Sequence, residues 1–233
     1  MQNEFVNGLC GGFFGTLVSH PFDTIKTRIQ SNTASTIKQA FLMKNLYAGL
    51  TPPLVGIMLE KSIVFGFYNK AKEYKLNDFY SGLVGGFMCT LIVTPVDRIK
   101  ICFQNKQQFV LTGLYKGFIP TICRETPGFG IYFTTYNYLT NNFNKEHSLS
   151  KTFISGALSG LNAWIFIYPS DLIKTKIQSS KEDIGIVNTI KNIYYVNNGG
   201  FKNFYRGFSL AIMRAMPLHG GVFVGYELSK KYT

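Results

Sequence analysis

PFDTIKTRIQ at residues 21–30, PVDRIKICFQ at 95–104 and PSDLIKTKIQ at 169–178 are one pattern written three times at a 74-residue step. Each copy holds a Pro, an Asp two residues on, a Lys three beyond that, and a Gln nine residues after the Pro. One P-x-D-x-x-K match is noise, but three in register are an internal threefold repeat, whose units bury their apolar faces only against one another. The repeats are placed at 1–74, 75–148 and 149–233, within one domain that spans 1–233.

Composition narrows the class. With 46% hydrophobic residues and a mean hydropathy of +0.08, the 233-residue chain is too apolar for a typical soluble domain. It is too charged for a bundle of featureless spans. Six apolar segments run from Phe5 to Ser19, Pro53 to Phe67, Phe79 to Pro95, Phe118 to Tyr132, Phe153 to Tyr168 and Phe208 to Val224. Most are broken by Gly or a lone charge, short of the roughly 20 uninterrupted apolar residues of a lipid-exposed span, so the expectation is membrane helices around a wet interior. Six helices put both termini on one side. The net charge of +12 raises nucleic-acid binding, but no zinc spacing, basic helix or aromatic RNA-binding motif accompanies it, and the basic residues recur after each Pro motif and in loops, as in membrane proteins. Cys10, Cys89, Cys102 and Cys123 stand singly in or near apolar segments, without a disulfide or metal spacing. The opening MQNEFVNGLC lacks a basic n-region or Arg-rich presequence, so any address is expected to be internal.

Small residues recur at a four-residue step on the first helix of each repeat: Gly8 and Gly12, Gly11 and Gly15; Ser81 and Gly85, Gly82 and Gly86; Ser155 and Ser159, Gly156 and Gly160. Such faces let helix backbones approach closely in a membrane. Each Pro is expected to bend its helix by removing a backbone donor, with Asp and Lys following on one face. An aromatic-x-Gly step comes next: Tyr47-Ala48-Gly49, Tyr115-Lys116-Gly117 and Tyr205-Arg206-Gly207, at 26, 20 and 36 residues from the motif Pro. Only the third interval has room for an amphipathic helix, around Asp183 to Tyr195; the first two look trimmed.

These motifs together resemble the mitochondrial carrier family across the whole chain. The resemblance implies an all-α membrane protein, six transmembrane helices in three pseudo-symmetric repeats around a central cavity, working by alternating access in the mitochondrial inner membrane with its termini on the cytosolic side. The short loops and the abundance of Asn, Ile and Lys resemble carriers of protists or giant DNA viruses. In that frame the matrix gate is Asp23 with Lys100, Asp97 with Lys174 and Asp171 with Lys26, braced by Gln30, Gln104 and Gln178. The cytosolic gate departs from the family pattern. Tyr226-Glu227-Leu228-Ser229-Lys230 keeps aromatic-acid-x-x-basic, whereas Asn69 and Asn137 stand where acids belong. One ionic link is expected there, Lys72 with Glu227, with Asn137 facing Lys230 and Asn69 facing Thr140, hence a weak gate and a resting state open to the cytosol.

Ionisable groups inside apolar helices are costly and usually face a cavity. Glu60, Arg124, Glu125 and Arg214 are such groups. Arg124 and Arg214 lie seven residues after the Gly of their steps, and Gly56, followed by Ile57, holds that place in the first repeat; these positions match the family's substrate contact points. Arg124-Glu125 resembles the couple of carnitine and amino-acid carriers, and Glu60 an acid of ornithine-type carriers. An Arg pair grips a carboxylate bidentately while Glu holds an ammonium. The expected substrate is therefore a small charged metabolite, amino-acid or carnitine-like, moved by exchange. A nucleotide or deoxynucleotide is the alternative, with Trp164 either stacking a base or facing lipid, and a non-transporting membrane receptor is the rival from another class. Lys61 and His219 are expected at the cavity rim or in helix packing. The basic-Gly steps resemble cardiolipin sites, where phosphate meets helix N-termini. No nucleophile-base set or metal cluster is present, so neither an enzyme nor a cofactor is expected; the other partners are a small-molecule substrate and no nucleic acid, in a monomer.

Lys100→Ala is expected to strand Asp23 and lower exchange in liposomes by about tenfold or more, as for one partner removed from a buried pair, with insertion unchanged. Wild-type exchange by that variant would overturn the gate assignment.

Overall fold

The computed structural model describes residues 2–30, 46–47, 49–104, 115, 118–143, 148–179, 185–195, 200–205 and 207–232. They form seven α-helices and a 3-10 turn: α1 Gln2–Gln30, α2 Thr51–Glu73, α3 Asp78–Gln104, α4 Phe118–Phe143, α5 Leu149–Ser179, α6 Ile186–Tyr195, the turn Gly200–Tyr205, and α7 Phe208–Lys230. The short α6 falls within the one long interval, and packs with the 3-10 turn against α5.

The six long helices close a ring in the order α1, α2, α3, α4, α5, α7 and back to α1. The small-residue stripes explain the contacts. A Cβ added to Gly8 would stand 2.6 Å from the Lys61 carbonyl oxygen of α2, one on Gly82 2.5 Å from that of Phe129 on α4, and one on Gly156 2.7 Å from that of His219 on α7. A second stripe faces the other neighbour, with Gly11 against Val222 and Gly85 against Val64. The first helices α1 and α3 are thus pressed from both sides, backbone to backbone, and α5 against α7, where dispersion needs close approach.

The shortest of the six, α2 and α7 at 23 residues, are about 34 Å long at 1.5 Å per residue, against a hydrocarbon core of about 30 Å. Among the described residues no helix is long and apolar enough to cross a membrane on its own hydropathy. The ring divides its residues by face instead. Phe13, Phe87, Ile92, Ile154 and Phe166 are exposed on the outside, a surface suited to lipid, while the interior takes the charges.

Pro21, Pro95 and Pro169 lie inside α1, α3 and α5. A helical Pro has no N–H to give the carbonyl four residues earlier. In α3 that carbonyl is Leu91, and it accepts from the Tyr115 hydroxyl at 3.4 Å; in α5 it is Ile165, which accepts from Tyr205 at 3.0 Å. The tyrosine of the aromatic-x-Gly step therefore repairs the gap that the motif proline opens. It also stacks beside the residue preceding the proline, Tyr205 on Tyr168 at 6.1 Å and Tyr47 on His20 at 6.0 Å. Gly49 and Gly207 follow with φ of 76° and 87°, left-handed values that glycine tolerates at least cost, and they turn the chain into α2 and α7.

The core sits inside the ring toward the termini. Phe65, Phe133 and Phe223 meet pairwise with ring centroids 5.1, 5.6 and 6.4 Å apart. They stand sixteen residues after Gly49, Gly117 and Gly207 in turn, so the repeat carries one aromatic per unit to a common meeting point. Tyr226 stacks on Phe65, Tyr68 on Phe133 and Tyr136 on Phe223. The termini end is closed by these rings, against the expectation of a weak gate there; that expectation counted charges and omitted the apolar plug, whose edge-to-face and stacked pairs contribute about 0.5–1.5 kcal/mol each beyond their burial.

Tyr205→Phe removes only the hydroxyl that reaches Ile165. It is expected to lower stability by about 0.5–1.5 kcal/mol, the net contribution of one hydrogen bond, because this one lies on an exposed face, read as a lower Tm in detergent; Tyr115→Phe, with its longer bond, should cost less.

Candidate functional site

Below the aromatic plug lies a cavity of about 670 Å³, including its open mouth. α2 contributes Ile57, Glu60 and Lys61, α4 contributes Arg124, Glu125, Phe129 and Tyr132, α5 contributes Trp164 and Ile167, and α7 contributes Arg214 and His219. Glu60, Lys61, Arg124, Glu125 and Arg214, with His219, are thus set among aromatic and aliphatic side chains, on three helices related by the repeat.

Every one of those charges is answered. Lys61 Nζ stands 2.7 Å from Glu60 Oε1, its side chain only 3% exposed, and 4.7 Å from the Phe129 ring centroid, close enough for a cation–π contribution. Arg124 donates from Nη1 to Asp171 Oδ1 at 2.9 Å and from Nη2 to Glu125 Oε1. Arg214 Nε lies 2.5 Å from Asp23 Oδ1, an ion pair by distance whose N–H is not aligned as a hydrogen bond; at such separation the attraction does not depend on that alignment. Unpaired, any of these ions would be costly where it is partly or wholly removed from solvent. Arg124 Nε, Tyr132 Oη and His219 Nδ1 are buried with no hydrogen-bond partner among the described residues, which leaves polar atoms on the cavity wall in reserve.

Of the residues predicted to bind substrate, Ile57, Glu60, Arg124, Glu125 and Arg214 line this one cavity. Gly56 does not; it is exposed, and its Cβ direction meets nothing within 4 Å. Sequence reasoning underweighted Lys61, Trp164 and His219. Trp164 is on the cavity wall, not turned to lipid, because α5 presents it on the face that carries Ile167. His219 lines the cavity while packing on Tyr132 at 4.8 Å and over Gly160. The signal for Lys61 was present: a second charge beside Glu60 in an apolar helix. It adds a cation to a cavity in which Arg124 and Arg214 alone had been expected.

Asp23 and Asp171 of the repeated motif reach up to the cavity arginines. The side chains of Lys26, Asp97, Lys100 and Lys174, and of Gln30, Gln104 and Gln178, lie outside the described residues, as do Lys116 and Arg206. At the termini end the predicted pairing is corrected. Lys72 pairs with Asp78 at 2.8 Å and not with Glu227, since Asp78 opens α3 just across the short turn from Lys72. Asn137 donates to Tyr68 Oη at 2.7 Å in place of Lys230. Asn69 donates to Glu4 at 2.9 Å and to Tyr226 Oη at 3.0 Å in place of Thr140.

A ring of six helices with repeated prolines, and a charged cavity on its axis, is the arrangement expected of a carrier. The family model described as "Mitochondrial carrier protein" matches residues 1–79, 110–147 and 145–233. The chain belongs to the mitochondrial carrier family. This carrier is 29% identical to a mitochondrial basic amino acids transporter of Bos taurus, over all of this chain and 93% of that one. It is 32% identical to mitochondrial substrate carrier family protein S of Dictyostelium discoideum, over 97% and 95% of the two chains. To the mitochondrial carnitine carrier of Saccharomyces cerevisiae it is 27% identical, over 98% and 88%. It is a multi-pass protein of the mitochondrial inner membrane that carries a small metabolite by exchange.

Glu60→Gln strands the Lys61 ammonium in an apolar wall. The variant is expected to lose about 3–5 kcal/mol of stability, seen as a lower Tm in detergent, and Glu60→Gln with Lys61→Met should recover most of it.

Proposed function

We propose that this carrier exchanges amino-acid-like solutes with a cationic group, basic amino acids first and carnitine-like zwitterions next. The observation that carries the reading is the mixed charge of one cavity: adjacent Arg124 and Glu125 on α4, Arg214 on α7, and Glu60 on α2. An α-amino acid presents a carboxylate and an ammonium side by side, and Arg124-Glu125 presents the complementary pair. The solute carboxylate takes Arg124 or Arg214, its ammonium takes Glu125, and a distal cation finds Glu60. Because the side chains neutralise one another when empty, the zwitterion enters by exchanging partners.

The relatives named for basic amino acids and for carnitine support this choice. A nucleotide is disfavoured. Glu60 and Glu125 on the wall, with Asp23 and Asp171 just beyond, oppose a polyphosphate, although Trp164 offers a surface for a base. In the gating that accompanies exchange, Asp23, Lys26, Asp97, Lys100, Asp171 and Lys174 close the matrix end, with Gln30, Gln104 and Gln178 as braces, and Glu227 and Lys230 belong to the cytosolic end. The protein works as a monomer, with cardiolipin phosphate held at the basic-Gly steps.

The test is exchange in liposomes with arginine, lysine, ornithine, carnitine, ADP and a deoxynucleoside triphosphate side by side. Uptake of the basic amino acids or carnitine is expected, with Arg214→Ala lowering it at least tenfold, about the loss of one charge-assisted contact. Glu125→Gln should raise the KM for cationic solutes more than it changes kcat. Exchange of nucleotides alone would overturn the reading.

A further inference from the structure

The two acids missing from α2 and α4, second helices of their repeats, are not missing from the closed end. Glu4 lies in the first turn of α1, and its carboxylate accepts from the Tyr226 hydroxyl of α7 and from Asn69 Nδ2 of α2 at 2.9 Å; the same Asn69 nitrogen also reaches Tyr226 Oη at 3.0 Å. Asp78 opens α3, and its Oδ1 accepts from the Tyr68 hydroxyl of α2 at 3.0 Å, whose oxygen in turn accepts from Asn137 Nδ2 of α4 at 2.7 Å. These are one arrangement used twice. Its members are an acid at the start of one repeat's first helix, a tyrosine from the helix before it in the ring, and an asparagine from the helix after it.

The repeat step makes the correspondence strict. Glu4 and Asp78 are 74 residues apart, the spacing of the Pro motifs, and the next step falls on Thr152. Tyr226, Tyr68 and Tyr136 are equivalent, each nineteen residues after the Gly of its step, and Asn69, Asn137 and Glu227 follow them directly. Every station thus pairs one acid with one uncharged group. At two stations the acid is on the first helix of a repeat and the amide on a second helix; at the third, Thr152 is on the first helix α5 and Glu227 on the second helix α7.

We infer that Glu4 and Asp78 are gate residues. They are carboxylates moved across the helix interface from the positions now held by Asn69 and Asn137, and they latch the termini end shut above the aromatic plug. The latch rests on the alternating access of the carrier fold but on no particular solute. A tyrosine hydroxyl donating to a carboxylate is a charge-assisted bond, roughly twice as strong as a neutral one. The Glu4 and Asp78 stations each tie three consecutive helices of the ring, so the end opens only when these bonds part. Lys72, 2.8 Å from Asp78, neutralises the second station; at the first, Glu4 accepts from the Asn69 amide and the Tyr226 hydroxyl.

The acid can sit on either helix of a station, so its position is interchangeable and its presence is not. That is testable with Ala163→Cys as a cavity reporter, in a chain whose Cys10, Cys89, Cys102 and Cys123 are replaced by Ala or Ser. An impermeant maleimide is added without solute from the side of the termini. Glu4→Gln is expected to raise the labelling rate about tenfold, the population shift that follows loss of one charge-assisted bond, and Asp78→Asn should do the same independently. Asn69→Asp alone places two carboxylates together and should also speed labelling, while Glu4→Gln with Asn69→Asp restores one acid to the station and should return the rate toward that of the parent. A general loss of packing would not be repaired by a second polar change. Parental labelling in both Glu4→Gln and Asp78→Asn overturns the latch, as does a double variant that labels as fast as Glu4→Gln. Because no solute is present, these outcomes are independent of which solute is exchanged, and a Tm measured for each variant in detergent separates an open gate from an unfolded protein.

Discussion

A charge enclosed by six largely apolar helices has to meet an opposite charge, and the interior of this carrier is organised around that requirement. Glu60 answers Lys61, Glu125 and Asp171 answer Arg124, and Asp23 answers Arg214. Two of these acids belong to the cavity and two to the repeated Pro motif. Cavity and motif therefore share one electrostatic account. On the proposed reading, a solute that takes hold of Arg124 or Arg214 draws it from Asp171 or Asp23, which would couple occupancy of the cavity to the motif. A ligand acts on the two ends only through such differential interactions.

The backbone obeys the same rule of complete pairing. Placing proline inside a helix frees one carbonyl, and the tyrosine of the aromatic-x-Gly step is at hand to bind it in the second and third repeats. Two short motifs that look unrelated along the chain are thus halves of one structural joint. The glycine stripes work alongside it. By allowing carbonyls of α2, α4 and α7 to lie within van der Waals reach of the neighbouring helices, they hold the ring tight enough for these bonds to form.

Closure of the termini end combines an apolar and a polar layer. Three phenylalanines converge on one another, and the tyrosines stacked on them carry their hydroxyls outward to Glu4 and Asp78. One residue type serves both layers, since tyrosine has an aromatic face to stack and a hydroxyl to donate. Counting charges on α2, α4 and α7 alone misses both layers.

The threefold repeat, the six-helix architecture, the small-residue faces and most of the cavity residues were legible in the chain, because each is a matter of period and spacing. Glu60, Arg124, Glu125 and Arg214 betrayed themselves as charges in apolar segments, where only a cavity makes them affordable. What the sequence did not reveal is who pairs with whom. Lys72 chose Asp78 over Glu227 because a short turn brings the first acid closer, and Asn69 found Glu4, sixty-five residues earlier. Trp164 turned inward, and Gly56 stood outside the cavity that its repeat position predicted. Period places a residue at a height along a helix; which neighbour lies within hydrogen-bond reach depends on the rotation and approach of whole helices, and only the closed ring decides that.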